Sequence, residues 1–153
     1  MDIESRLRLQ RDEGAVREAL EAAGGKLHTR HELCEGLDEP DPQGLYWAEI
    51  QPRDRTCQAF IARIEWTVYP GRPPSVLFAD QIGGATGISR AWPQAPGYRG
   101  PADICKPFTA EGQKLHSEWG RGPQAWPTTG NPFLYVVENL QDDIDRARGA
   151  RAA

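Results

Sequence analysis

An α+β fold is what this sequence predicts, and three features predict it. Each end of the chain carries apolar residues at helical spacing. Between them lie three short apolar or alternating runs separated by tight turns, the pattern of an antiparallel meander. The length, 153 residues, corresponds to a single domain over 1–153 with room for a real hydrophobic core.

The first helix is expected over Asp2–Ala23. Ile3, Leu7, Leu9, Val16, Ala19, Leu20 and Ala23 recur mostly at helical spacing. Gly14 weakens the middle and predicts a bend, and Gly24-Gly25 is a stop signal. Asp38–Gly44 is rich in proline and acidic residues and predicts a loop. Leu45–Ile50 predicts a strand. Cys57–Tyr69 predicts a longer one, since Phe60, Ala62, Ile64, Trp66 and Val68 alternate with Ile61, Arg63, Glu65 and Thr67. The prolines of Tyr69–Pro74 make a turn into a third strand, Ser75–Phe78. Asp80–Trp126 is Gly- and Pro-rich with little periodicity, and a segment of that length inside a small domain usually carries function. The last helix is expected over Pro132–Arg148, with Asn131 as N-cap and Pro132 at the first helical position. The tail Arg148–Ala153 is expected to fray.

Composition narrows the function classes. Hydrophobic residues make up 39% and charged residues 26%, an ordinary globular balance. A net charge of −4 argues against nucleic acid as the main partner, because phosphate binding needs clustered Lys and Arg. No apolar run is long enough to span a membrane. The charged start, Met1–Arg11, predicts no secretory signal. Three widely spaced cysteines predict free thiols in a reducing, cytoplasmic setting rather than a disulfide framework.

The middle of the chain carries a resemblance. Tyr69-Pro70-Gly71-Arg72-Pro73-Pro74 matches the Tyr-Pro-x-x-Pro-Pro turn of ubiquitin-conjugating enzymes. Ala95-Pro96-Gly97 stands where that family has His-Pro-Asn, ten residues before a cysteine. Asp103-Ile104-Cys105 resembles the family's cysteine context, and Trp126-Pro127 resembles the Trp-x-Pro before its next helix. The chain therefore resembles the ubiquitin-conjugating family over most of its length. Its extra loop residues make it similar to divergent members encoded beside ubiquitin-like modifiers in bacteria, a setting that suggests antiviral defence.

That resemblance implies a ubiquitin-conjugating-like fold and a thioester enzyme. Cys105 would accept a modifier from an adenylating activating enzyme and pass it to an amine on a target protein, with no metal or small cofactor. Cysteine suits this work because its thiolate attacks well and leaves well. Asp103 is a candidate to orient or deprotonate the amine. His116, with Glu118, is a candidate to fold back over the site, and Lys106 adds local positive charge. The family's Asn has no counterpart, since Gly97 offers no side-chain donor. Arg6, Arg8 and Arg11 fit the helix that receives the activating enzyme in the family. Trp92 and Trp119, in the extra loops, either anchor those loops or meet a partner.

Two other readings compete. An inactive conjugating-like binding module is favoured by Gly97 and disfavoured by the retained cysteine. A cysteine hydrolase built on Cys105 and His116 would leave the proline turn and the meander as coincidences. His28, His31 and Cys34 share a spacing that suits a metal only if helical, and no fourth ligand lies near. Cys57 reads as a packing residue. Trp47, Trp66 and Trp126 read as core.

Overall fold

The computed structural model describes residues 1–29 and 44–153. Helix α1 spans Ile3–Ala22. It starts where the Asp2 carboxylate accepts the Ser5 N–H at 2.9 Å, satisfying one of the donors a helix N-terminus leaves unpaired. It stops before Gly24, whose φ of 90° suits glycine. The buried face is Ser5, Leu9, Asp12, Val16 and Leu20, a three-and-four spacing. Ile3 and Leu7, expected in that face, point outward and are 66% and 63% exposed.

Four antiparallel strands follow, β1 (Lys26–Thr29), β2 (Leu45–Ile50), β3 (Phe60–Glu65) and β4 (Ser75–Ala79), paired in that order. Three were expected. β1 was missed, and β3 is much shorter than Cys57–Tyr69. Ala48 pairs with Ala62, and Ala62 with Phe78. This register sends Tyr46, Ala48, Ile50, Phe60, Ala62, Ile64, Val76 and Phe78 into one buried face. A second long helix covers it with α1, contributing Phe133, Val136, Val137, Leu140 and Ile144. Each large apolar side chain so buried contributes about 1.5–3 kcal/mol.

The turn Tyr69–Pro74 fastens the two helices to the sheet. Ser5 Oγ accepts the Tyr69 N–H at 3.1 Å. The Tyr69 hydroxyl donates to the buried Asp12 carboxylate and accepts the Phe133 N–H. Trp126 Nε1 donates to Pro70 O at 2.7 Å. Trp66 packs against Tyr69, Trp126 and Phe133. The motif's aromatic residue thus ties α1, the turn and the later helix at one point.

Between β4 and that helix the chain forms several short elements. A two-residue-per-strand hairpin, β5 (Tyr98–Arg99) and β6 (Asp103–Ile104), precedes helix α2 (Ala110–Leu115). Single 3₁₀ turns occur at Ser89–Ala91, Ser117–Gly120 and Gly122–Gln124. The last helix, α3 (Pro132–Arg146), begins as expected, with Asn131 Oδ1 accepting the Leu134 N–H at 2.9 Å.

The tail does not fray. Gln94 N donates to Ala150 O at 2.8 Å and Ala152 N to Trp92 O at 2.9 Å. The Arg151 guanidinium lies 3.9 Å over the Phe60 ring and donates to the carbonyls of Gln58 and Ala59. Backbone pairing and one cation–π contact hold residues whose composition alone suggested disorder. Among the described residues no helix is long and apolar enough to cross a membrane.

Candidate functional site

Cys105 follows β6 directly, and its setting is built by the hairpin. Tyr98 pairs with Ile104 and Arg99 with Asp103. The Cys105 N–H donates to Gly97 O at 2.7 Å, which extends the same register by one residue. Side chains alternate along a strand. Tyr98 and Ile104 are buried, 8% and 0% exposed, so Gly97, Arg99, Asp103 and Cys105 share the opposite, outward face. Cys105 is half-buried there. The turn closing the hairpin has Ala102 N donating to Arg99 O at 2.8 Å, with a cis Gly100–Pro101 bond.

The main chain around Cys105 is held from behind. The fully buried Thr109 donates its hydroxyl to Ile104 O at 2.6 Å. The same oxygen accepts the Gly112 N–H at 3.0 Å and so caps α2. α2 packs against the cysteine loop so closely that a Cβ at Gly112 would stand 2.1 Å from Lys106 O. Ala110 N donates to Pro74 O at 2.8 Å, linking α2 to the proline turn. Anchored in this way, the loop presents one thiol outward on fixed backbone.

The charges nearby are paired among themselves. Arg99 binds Asp103 with two parallel contacts, Nε to Oδ1 at 2.6 Å and Nη2 to Oδ2 at 2.7 Å. Arg99 is held above its ordinary value, chiefly by that hydrogen bond; burial opposes the shift, and the charges of Asp103 and Cys105 add to it. Lys106 Nζ lies 3.7 Å from Asp143 Oδ2 on α3. The same carboxylate oxygen accepts the Tyr98 hydroxyl at 2.8 Å. Burial first, and Asp143 second, push the Tyr98 phenol up, so it stays a neutral donor.

The other candidates lie in separate places. His116 caps the end of α2, pairs with Glu118 at 2.8 Å and stacks on Trp119 at 4.0 Å. Glu118 is lowered chiefly by that hydrogen bond. These three residues form a half-exposed group whose described contacts are with one another. Trp92 is fully buried, packs on Phe78 and donates from Nε1 to Thr86 O at 2.8 Å. It anchors its loop and leaves no surface for a partner. Arg6 and Arg8 are half-buried on α1, and Arg11 is exposed and paired with Asp12 at 2.9 Å. His28 pairs with Glu49 across the sheet at 3.1 Å, while His31 and Cys34 lie outside the described residues. Cys57 is half-buried, with Sγ 3.7 Å from Arg148 O. No cluster of three metal-ligating side chains occurs among the described residues.

Beside the hairpin lies a cleft of about 470 Å³, walled by Pro93, Ala95, Pro96, Arg99, Gly100 and Ala152 among others. Sequence reasoning missed Arg99, Tyr98 and Asp143. The signal for Arg99 was present, since Tyr98-Arg99 and Asp103-Ile104 flank a Gly-Pro turn dipeptide with apolar and charged residues in mirrored order.

What the fold and site define is an α+β domain with helices at both ends of the described chain and an antiparallel sheet between them, displaying one outward thiol on a braced hairpin. The chain matches no family model, no curated protein and no solved structure.

Proposed function

We propose that this chain is a conjugating enzyme for a ubiquitin-like modifier, working as a single domain with the ubiquitin-conjugating-like arrangement. In this reading Cys105 attacks the thioester carbonyl of a modifier held on an adenylating activating enzyme. A new carbon–sulfur bond forms and the activating enzyme's thiolate departs. An amine of a target protein then attacks the acyl carbon, loses a proton to solvent and expels the Cys105 thiolate. The reaction exchanges one acyl bond for another and requires no metal or small cofactor from this chain. A cytoplasmic setting, with a modifier, an activating enzyme and a target as partners, follows from the same reading.

The observation that carries it is the placement of Cys105. It stands half-buried, on the face opposite Tyr98 and Ile104, on a hairpin fastened by Thr109 and Gly97, downstream of the Tyr69–Pro74 turn that the sequence shares with the family. A buried structural thiol would instead point with Tyr98 and Ile104. Trp119, His116 and the α1 arginines are the surfaces offered to partners, and Asp103 and His116 the side chains proposed to assist transfer.

One observation favours a second reading, a binding module without chemistry. Gly97 places no donor beside Cys105, where the family uses an amide side chain. The two readings part on a non-reducing gel of the protein with activating enzyme, modifier and ATP. A thiol-sensitive adduct on the wild type that is missing from Cys105→Ala supports the enzyme. No adduct, with the activating enzyme demonstrably charged, supports the binding module.

A further inference from the structure

We propose that Arg99, held in place by Asp103, supplies the positive donor at Cys105 that Gly97 lacks, stabilising the thiolate and the oxyanion formed during acyl transfer. This rests on the conjugating reading and names a catalytic group for it. Asp103 becomes a positioning residue, in place of the proton-accepting part suggested by its nearness to Cys105 in sequence.

Geometry carries the argument. Residues 97, 99, 103 and 105 occupy one face of a single hairpin. Gly97 stands directly opposite Cys105, and Arg99 stands one diagonal step away, a separation that long side chains span. Residue 97 has no side chain, so Arg99 is the side chain that its strand offers on this face. The fork of Arg99 is already oriented by two contacts of 2.6 and 2.7 Å to Asp103. Two of its donors are used there, which leaves others of the five for an acyl oxygen. Arg99 also walls the cleft beside the hairpin. The other cation in reach, Lys106, is turned to Asp143.

During transfer, amine attack converts the acyl carbonyl to an oxyanion, and collapse of that intermediate re-forms the carbonyl and expels the thiolate. Arg99 donates hydrogen bonds to the oxyanion and then faces the departing thiolate. It gains and loses no proton. A preoriented charged donor of this kind is worth far more to the transition state than to the neutral carbonyl.

The test separates this proposal from the one it rests on. In a Cys34→Ser, Cys57→Ser background, iodoacetamide alkylation of Cys105 is timed at neutral pH for wild-type Arg99, Arg99→Lys and Arg99→Gln, with thermal melting to confirm folding. Arg99→Gln is expected to react roughly threefold more slowly at low salt, with the difference shrinking at high salt, and Arg99→Lys to keep most of the rate. Discharge of the charged protein to free lysine in a single turnover is expected to fall roughly tenfold or more in Arg99→Gln. Asp103→Asn, which loosens the hold on Arg99, is expected to slow both alkylation and discharge, by less than Arg99→Gln does. Equal alkylation rates overturn the coupling to Cys105, and slowed alkylation with unchanged discharge overturns the oxyanion role. If no thioester forms on any variant, the conjugating reading falls, and alkylation alone decides whether Arg99 acts on the thiol.

Discussion

Gly97 accepts the Cys105 N–H at 2.7 Å, and a Cβ on residue 97 would stand 2.9 Å from the Cys105 carbonyl oxygen and 3.0 Å from Lys106 Cε. With φ at 83°, residue 97 occupies backbone space that L side chains rarely enter. The absence of a side chain there is thus a feature of how this hairpin approaches its cysteine. Any side chain at this point would crowd the backbone next to the cysteine.

Gly97→Ala is expected to destabilise the protein by about 1–2 kcal/mol, from the left-handed backbone and the close contact together. Urea unfolding measures it. Gly97→Asn should show a similar or smaller loss, because Asn tolerates positive φ better than Ala does. A neutral or stabilising Gly97→Ala would contradict the backbone geometry described.

Thr109→Val keeps the shape and removes one hydroxyl that serves three backbone groups, the Ile104 and Lys106 carbonyls and the Gly112 N–H. The Ile104 carbonyl and the first turn of α2 lose their partner together. The expected cost is about 2 kcal/mol. Amide hydrogen exchange should speed up at Gly112 and Cys105, while the β2–β3 pair stays protected.

Trp92 and Trp119 should behave oppositely. Trp92→Ala opens a cavity against Phe78 and strands Thr86 O, and is expected to cost about 3–5 kcal/mol. Trp119→Ala removes a half-exposed ring stacked on His116 and should change stability by less than about 0.5 kcal/mol. Any loss of partner binding in the Trp119 variant would then be read free of unfolding. Thermal melts of both variants provide the check.

The Asp2 cap gives a pH dependence with a defined sign. The Ser5 backbone N–H first, and its hydroxyl second, hold the Asp2 carboxyl below its ordinary value. A group depressed on folding stabilises above its unfolded value and loses that contribution as pH falls through the folded one. Asp2→Ala should therefore melt earlier than wild type at neutral pH, and the gap should close toward strongly acidic pH. A gap that persists in acid would mean that the carboxylate is not the operative group.

Much of the architecture was legible because it rests on long, repetitive signals. Asn131-Pro132 opened α3, Gly24-Gly25 closed α1, and the alternation at Phe60, Ala62 and Ile64 marked the sheet's inner face. What escaped was short or settled by distant contacts. β1 has four residues and one buried apolar side chain, Leu27. The hairpin has two residues per strand, too few for alternation to stand out, so the Arg99–Asp103 pair was hidden and Asp103 looked unattached. Ile3 and Leu7 were placed inside by spacing, yet the Asp12–Tyr69 link turns the other side of α1 inward. Asp143 lies 37 positions or more from the residues it meets in the cysteine loop, and only packing brings it there.

The docked tail gives the cleft beside the hairpin walls from two remote parts of the chain, residues 93–100 and Ala152. The second part is held by Gln94–Ala150 and Trp92–Ala152 pairing. Release of this stretch would remove one wall and, with it, the Arg151 contact over Phe60. What the cleft admits therefore depends on contacts made far along the sequence from the hairpin that borders it.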